Sequence, residues 1–301
     1  MHFEFTYNAL ASSSTSFKGK LYFEGDNEAW PITFCKLDHR ESFWTIAYNH
    51  FDFVLHDGLD KLDRGKDAIN NGDALLWWQS EIKALLCTIR NMHRKKLMHG
   101  KLKDMKSYVV VGDEQQMKII NIENKLTRDK ERQQKLQDLR DFKVMLRDLS
   151  CRIIGEEANN WNDLTLFLNF FDKGSGYEDD IFVDQLIEHP FLKTPIERIK
   201  LYAGFHQKIL TRTLRRFCEF ERSKSFGGYL PWNTKKMAGW MTDIYDYKHA
   251  NKYDGNRPAD LIRFVKNIRN HYAKKKVPIE VVDAEVRRLY SEFFNEVHVF
   301  S

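Results

Sequence analysis

The sequence has few of the features that mark membrane, secreted or metal-binding proteins. Its 301 residues include only six prolines and four cysteines, and no apolar run reaches the length of a bilayer. A spanning helix needs roughly 20 mostly apolar residues, so no membrane segment is expected. Cys35, Cys87, Cys151 and Cys218 lie far apart and form no Cys-x-x-Cys pair. That spacing points away from a zinc site or disulfide framework and toward free thiols in a reducing compartment, the cytoplasm with the nucleus left open. The opening Met-His-Phe-Glu-Phe-Thr-Tyr has no basic stretch followed by an apolar one, so no secretory signal is read there. Ser12-Ser-Ser-Thr-Ser16 also lacks the glycines that let a loop approach phosphates closely.

Other features are plentiful. Hydrophobic residues make up 42% of the chain and aromatics 14%, enough for a true core and too much for a disordered tail. The net charge of +5 is unevenly spread. Residues 194–301 carry 21 Lys+Arg against 12 Asp+Glu, whereas the remainder carries 27 against 31. A basic segment joined to a mildly acidic one suggests that the C-terminal part meets a polyanion.

The patterning predicts an α+β, mainly helical chain. Alternation over residues 12–37 predicts strands at Phe17–Phe23 and Pro31–Leu37 around a turn at Gly25–Asn27. Asp57-Gly58 and Asn70–Asp73 mark further turns. A long helix follows, with Ala74, Leu75, Trp77, Trp78, Ile82, Leu85, Leu86, Ile89 and Met92 as its apolar face. Tyr108–Val111 and Met117–Ile122 read as strands, and Arg128–Arg152 as a charged helix with Leu136, Leu139, Phe142, Met145, Leu146 and Leu149 inward. The charges between them are read as a solvated face, as is Lys274-Lys-Lys276. Pro190 ends a helix, and Thr194-Pro-Ile-Glu197 starts another with a capping box. A domain boundary is therefore expected at residue 193.

The most informative stretch is Asp260-Leu-Ile-Arg-Phe-Val-Lys-Asn-Ile-Arg-Asn-His-Tyr272. Leu261, Val265, Ile268 and Tyr272 form one helical stripe suited to a core. Arg263, Asn267 and His271 recur every fourth residue as a separate polar stripe. A cation, an amide and an imidazole on one ridge suit holding a phosphate and moving a proton.

This stretch resembles the nuclease domain of the inositol-requiring kinase/endoribonucleases of the unfolded-protein response and of ribonuclease L, the KEN domain. Asp260, Leu261, Ile262, Arg263, Asn267, His271 and Tyr272 fall in the family's register, and Tyr253 matches the spacing of its active-site tyrosine. Trp232 with Met237 and Leu289-Tyr-Ser-Glu-Phe-Phe294, similar to the closing helix, extend the likeness, with Asn233 replacing an aspartate. Upstream, the long helix, His99-Gly-Lys-Leu-Lys103 and the strands after it resemble a kinase large lobe. Asp184–Phe191 looks like that lobe's final helix. Gly100, Lys101, Lys106 and Asn121 stand where catalytic-loop and metal-binding residues belong. Lysine accepts no proton at neutral pH, and Asn121 brings no charge to a cation. Lys36 resembles a nucleotide-pairing lysine but reads better as a solvated strand residue.

The resemblance implies a degenerate, truncated kinase-like domain over residues 1–193 (small-lobe remnant 1–73, large-lobe-like 74–193), then an all-α KEN ribonuclease domain over 194–301. It implies metal-independent RNA cleavage to a 2′,3′-cyclic phosphate, needing no cofactor and no metal. His271 is the implied acid and Tyr253 the base or proton relay; Asn267 and Lys266 hold the scissile phosphate. Arg263 and Arg269 are further substrate-binding candidates. RNA is the expected substrate, and a homodimer, or a heterodimer with a related kinase/endoribonuclease, the expected assembly. The full-length sensors of the family are membrane-anchored, and this chain is expected not to be. Lys266 departs from the family's arginine, and a point charge is no equivalent of a planar fork. On a continuous helix it also lies about 140° from His271. The alternative is a non-enzymatic partner that regulates full-length family members.

Overall fold

In the computed structural model the chain is a mainly helical α+β protein. The structure describes residues 2–6, 16–22, 30–35, 45–48, 51–65, 74–122, 124–155, 158, 161–176, 179–211, 217–223, 226, 229–247, 253–290 and 293–300. Contacts divide it into two units, residues 1–61 with 105–120, and residues 62–104 with 121–301. Residue 193 lies inside the second.

The first unit holds two antiparallel sheets. β1 (His2–Thr6), β2 (Ser16–Tyr22), β3 (Trp30–Cys35) and β4 (Thr45–Tyr48) pair in sequence order. β2 and β3 are the two expected strands; β1 and β4 lie outside that expectation. Pro31 pairs with Lys20 on β2, one residue short of the point where β4 joins at Ile32. Its missing N–H therefore leaves that ladder intact. The turn at Gly25–Asn27, Ser12–Thr15 and Lys36 lie outside the described residues. β5 (Phe53–Val54), β7 (Tyr108–Val111) and β8 (Gln116–Ile119) form the second sheet. Its buried residues are Tyr108, Val109, Val110, Met117 and Ile119. Gly112, with φ of 72°, opens the β7–β8 turn, and its N–H donates to the Asp52 carboxylate at 2.5 Å.

The second unit begins with α1 (Ala74–Arg94), which buries Trp78, Ile82, Leu85, Leu86, Ile89 and Met92 as its spacing predicts. β6 (Leu97–Met98) and β9 (Asn124–Lys125) pair across the loop that follows. α2 runs Glu131–Ile154 and ends at Gly155, whose φ of 73° suits a residue without Cβ. Its charged residues are not all solvated, contrary to the sequence reading. Asp138 is fully buried, and its carboxylate accepts from His99 N (2.9 Å), Gly100 N (2.7 Å) and His93 Nε2 (3.1 Å). Those bonds hold the His99–Gly100 turn, whereas Lys101, Lys106 and Asn121 are exposed.

α3 (Asn162–Phe170), a 3-10 turn at Phe171–Gly176, α4 (Asp179–Ile187) and a second at Pro190–Leu192 lead to α5 (Pro195–Leu210). Thr194 caps α5 as expected, its N–H and hydroxyl donating to the Glu197 carboxylate at 2.8 and 2.9 Å. α6 (Phe217–Arg222), α7 (Gly239–Tyr245), α8 (Pro258–His271), α9 (Ile279–Leu289) and α10 (Phe293–Phe300) complete the chain. Leu289–Phe294 is therefore not one helix: Tyr290, with φ of −137°, ends α9. Its hydroxyl donates to Trp232 O at 3.2 Å, tying the break into the core. Among the described residues, no helix is long and apolar enough to cross a membrane.

Two histidines meet in an aromatic pocket between the Pro190 turn and α10. The His189 and His298 rings lie 5.3 Å apart, against Phe167, Phe170 and Phe191. His189 Nδ1 accepts from Phe191 N (3.2 Å), and His298 Nε2 donates to Gln185 O (2.8 Å). Burial, then the charges of His298 and Lys173, pushes His189 well below its ordinary value; burial brings His298 down to about 4. A depressed folded-state value means the unfolded chain takes up protons first as pH falls. The full stability is therefore present above the ordinary value of 6.5 and is lost toward pH 4. Urea unfolding should show a loss of about 1.5 kcal/mol from His298 alone between pH 6.5 and 5. A midpoint unchanged over that interval contradicts the prediction.

Candidate functional site

α8 is an amphipathic helix held at both ends. Pro258 occupies its first turn, and the Glu221 carboxylate from α6 accepts the Ala259 N–H at 3.0 Å. It ends at His271, where a 3-10 turn (Tyr272–Lys275) takes over and Lys276 adopts a φ of 54°. Leu261, Ile262, Phe264, Val265 and Ile268 are buried against α5, which contributes Ile199, Tyr202 and Phe205. Arg263, Lys266, Asn267 and His271 are left half-buried on the other side.

Tyr253 reaches this face from the segment before α8. The Trp232 indole donates to Asp254 O at 3.0 Å, and Trp232 N donates to Gly255 O at 2.9 Å. A Cβ at Gly255 would collide with the Asn233 amide, so this close approach requires glycine. Asn233 also donates to the Tyr245 hydroxyl at 3.1 Å. Finally, the Asp254 N–H donates to Asp260 at 2.8 Å. These bonds fix the segment that carries Tyr253.

The result is a compact polar cluster. Asn267 Nδ2 donates to the Tyr253 hydroxyl at 2.7 Å, and Lys266 Nζ lies 3.4 Å from Asn267 Oδ1. The Tyr253 ring stacks on Tyr245 at 5.5 Å, and the Arg263 guanidinium sits 4.7 Å from its centroid. Arg263 also pairs with Asp260 at 3.3 Å. Burial pushes the Tyr253 hydroxyl up, offset in part by the Asn267 bond and by Arg263. It therefore keeps its proton at neutral pH.

The structure thus brings Tyr253, Arg263, Lys266 and Asn267 together. His271 stands on the same ridge one turn beyond Asn267, its ring 6.1 Å from that of Tyr247. Arg269 is exposed and lies about 160° around the helix from Asn267, so it is not part of the cluster. One residue was missed in the sequence. His206 on α5 is buried, and its value is lowered by burial, then by the Lys266 and Arg263 charges, with Asp260 opposing. Sixty positions separate it from Lys266, and no motif marks it; only the packing of α5 on α8 reveals it.

The cluster joins two cations, an amide and a protonated hydroxyl, with the His271 imidazole one turn further along the ridge, a set able to bind a phosphodiester and transfer protons around it. No protein-family model matches the chain and no curated protein matches it.

Proposed function

We propose that this face of α8 is the centre of a metal-independent endoribonuclease, and that the kinase-like part catalyses no phosphotransfer. The observation that carries the reading is the 2.7 Å bond between Asn267 and Tyr253, flanked by Lys266 and Arg263. It joins residues 14 positions apart into the set that the resemblance to the KEN domain implies. The excess positive charge of residues 194–301 supports a polyanionic substrate.

In this mechanism the RNA 2′-hydroxyl attacks its own phosphorus, and the bond to the 5′-oxygen breaks. Lys266 and the Asn267 amide stabilise the phosphorane charge. Tyr253 serves as a relay rather than a phenolate base, taking the 2′-hydroxyl proton as its own passes to water. His271 gives its proton to the departing 5′-oxygen, leaving a 2′,3′-cyclic phosphate and a 5′-hydroxyl. Because Lys266 and His271 lie on different sides of the helix, the substrate must bridge Asn267 and His271 along the ridge. Association with a second copy or a related chain, as the resemblance implies, belongs to the same proposal.

The test is incubation of purified protein with a stem-loop RNA in EDTA, with products scored for the cyclic phosphate. Cleavage is expected, weak in the wild type, because lysine lacks the second, orienting hydrogen bond of arginine. Lys266→Arg should raise it several-fold, mainly in turnover, since orientation favours the phosphorane over the ground state. A Lys266→Arg protein that folds, dimerises and cuts no RNA would favour the regulatory-partner alternative.

A further inference from the structure

Tyr245 and Tyr247, at the end of α7, face in two directions. Tyr245 turns inward and stacks on Tyr253, whereas Tyr247 is 65% exposed and lies beside the His271 ring at an interplanar angle of 35°. The outer ring borders an open cleft of about 580 Å³ lined by Asp243, Asp246, Tyr247 and Lys275. Asp243 and Lys275 pair across it at 2.8 Å. The cleft thus offers an aromatic face, two carboxylates and an ammonium group, next to the imidazole on the α8 ridge.

We propose that this cleft binds a nucleobase, that of the nucleotide on the 3′ side of the scissile phosphate, and that it selects guanine. The 3′ position rests on the nuclease reading, because His271 would protonate the 5′-oxygen of that nucleotide. The base selection rests on the cleft itself. A flat base stacks on the exposed Tyr247 ring, an interaction that tolerates any base and contributes about tenfold in affinity. The carboxylates supply the discrimination. Guanine presents two adjacent donors, N1–H and the N2 amino group, which match the two oxygens of one carboxylate. Adenine and cytosine set an acceptor nitrogen beside their amino group, and uracil sets a carbonyl on each side of its N–H. Each of these turns a lone pair toward the carboxylate and is disfavoured. Asp243 is already engaged by Lys275, so Asp246 is assigned to the guanine edge and Lys275 to its O6 or phosphate.

The test uses two sets of oligonucleotides. Uridine hexamers with one central guanosine, inosine, adenosine or cytidine, in a 2′-deoxy form that binds but is not cut, report affinity by fluorescence anisotropy. Stem-loops varied at the nucleotide 3′ of the cut bond report KM and kcat. The wild type should bind the guanosine hexamer about tenfold tighter than the inosine hexamer, which lacks the N2 amino donor to a charged acceptor. Asp246→Asn should erase that difference. Tyr247→Ala should weaken all hexamers about tenfold, and Tyr247→Phe should retain binding. In cleavage, both losses should appear in KM.

Equal binding of all four hexamers, or a Tyr247→Ala protein that binds as well as the wild type, overturns the subsite even if RNA is cut, and leaves the nuclease reading standing. Guanine-selective binding that depends on both residues, without cleavage of any stem-loop, upholds the subsite and removes the nuclease reading. A wild type that neither binds nor cuts overturns both.

Discussion

On the proposed nuclease mechanism, His271→Ala should lower the rate of RNA cleavage by about 10²–10⁴-fold, the usual cost of losing a general acid. The effect should fall on kcat. His271 is the last residue of α8 and sits beside Tyr247 rather than in the buried stripe. Leu261, Val265 and Ile268 keep the helix in place without it. The thermal midpoint of the variant and its affinity for a 2′-deoxy RNA should therefore match the wild type. Single-turnover cleavage by the two proteins, each at saturating concentration, is the measurement. Equal rates would remove His271 from the chemistry and leave the Tyr253–Asn267 cluster as a binding site. A loss confined to KM would make the imidazole a substrate contact instead of an acid.

Asp283→Ala destabilises the protein by about 3–5 kcal/mol, the range for removing one partner of a buried ion pair. Asp283 is fully buried in α9 and accepts from Arg198 Nε at 3.0 Å and Nη2 at 2.6 Å. Arg287 donates to the same carboxylate at 3.0 Å and to Asp163 at 2.5 Å. Arg198 also donates to Pro190 O and Lys193 O. One carboxylate therefore ties α3, the Pro190 turn, α5 and α9 together, across the position where the sequence predicts a boundary. Alanine would leave the Arg198 guanidinium, 3% exposed, without its counter-charge. Urea unfolding at neutral pH tests this, and a cost under about 1 kcal/mol would show that the tie is not needed. Arg198→Met with Asp283→Leu should recover much of the loss, because no charge then remains buried unpaired.

Much of the fold was legible in the sequence because it depends on local spacing. The apolar periodicities of α1, α2 and α8 picked out most of the buried residues of those helices, with Trp77, Leu136 and Tyr272 only half-buried, and the Thr194–Glu197 box marked the start of α5. The misreadings share a cause. Asp138 reads as surface charge because its partners are backbone N–H groups nearly 40 residues away, which no helical pattern displays. Tyr290 breaks a stretch that reads as one helix because its hydroxyl is drawn to Trp232 O, 58 positions back.

The sequence by itself determined that Arg263, Asn267 and His271 share one ridge of α8, since a period of 3.6 residues places them there whatever the helix packs against. It also determined the concentration of positive charge after residue 193. Only the tertiary structure decided that Tyr253 meets Asn267, that His206 is buried on α5 within the field of Lys266 and Arg263, and that Tyr247 borders a cleft beside His271. Arg269 falls away from the cluster on periodicity alone, since two residues along a helix set it about 160° from Asn267. Periodicity acts within a few turns of one helix; bringing together residues tens of positions apart requires the core to set how those helices cross.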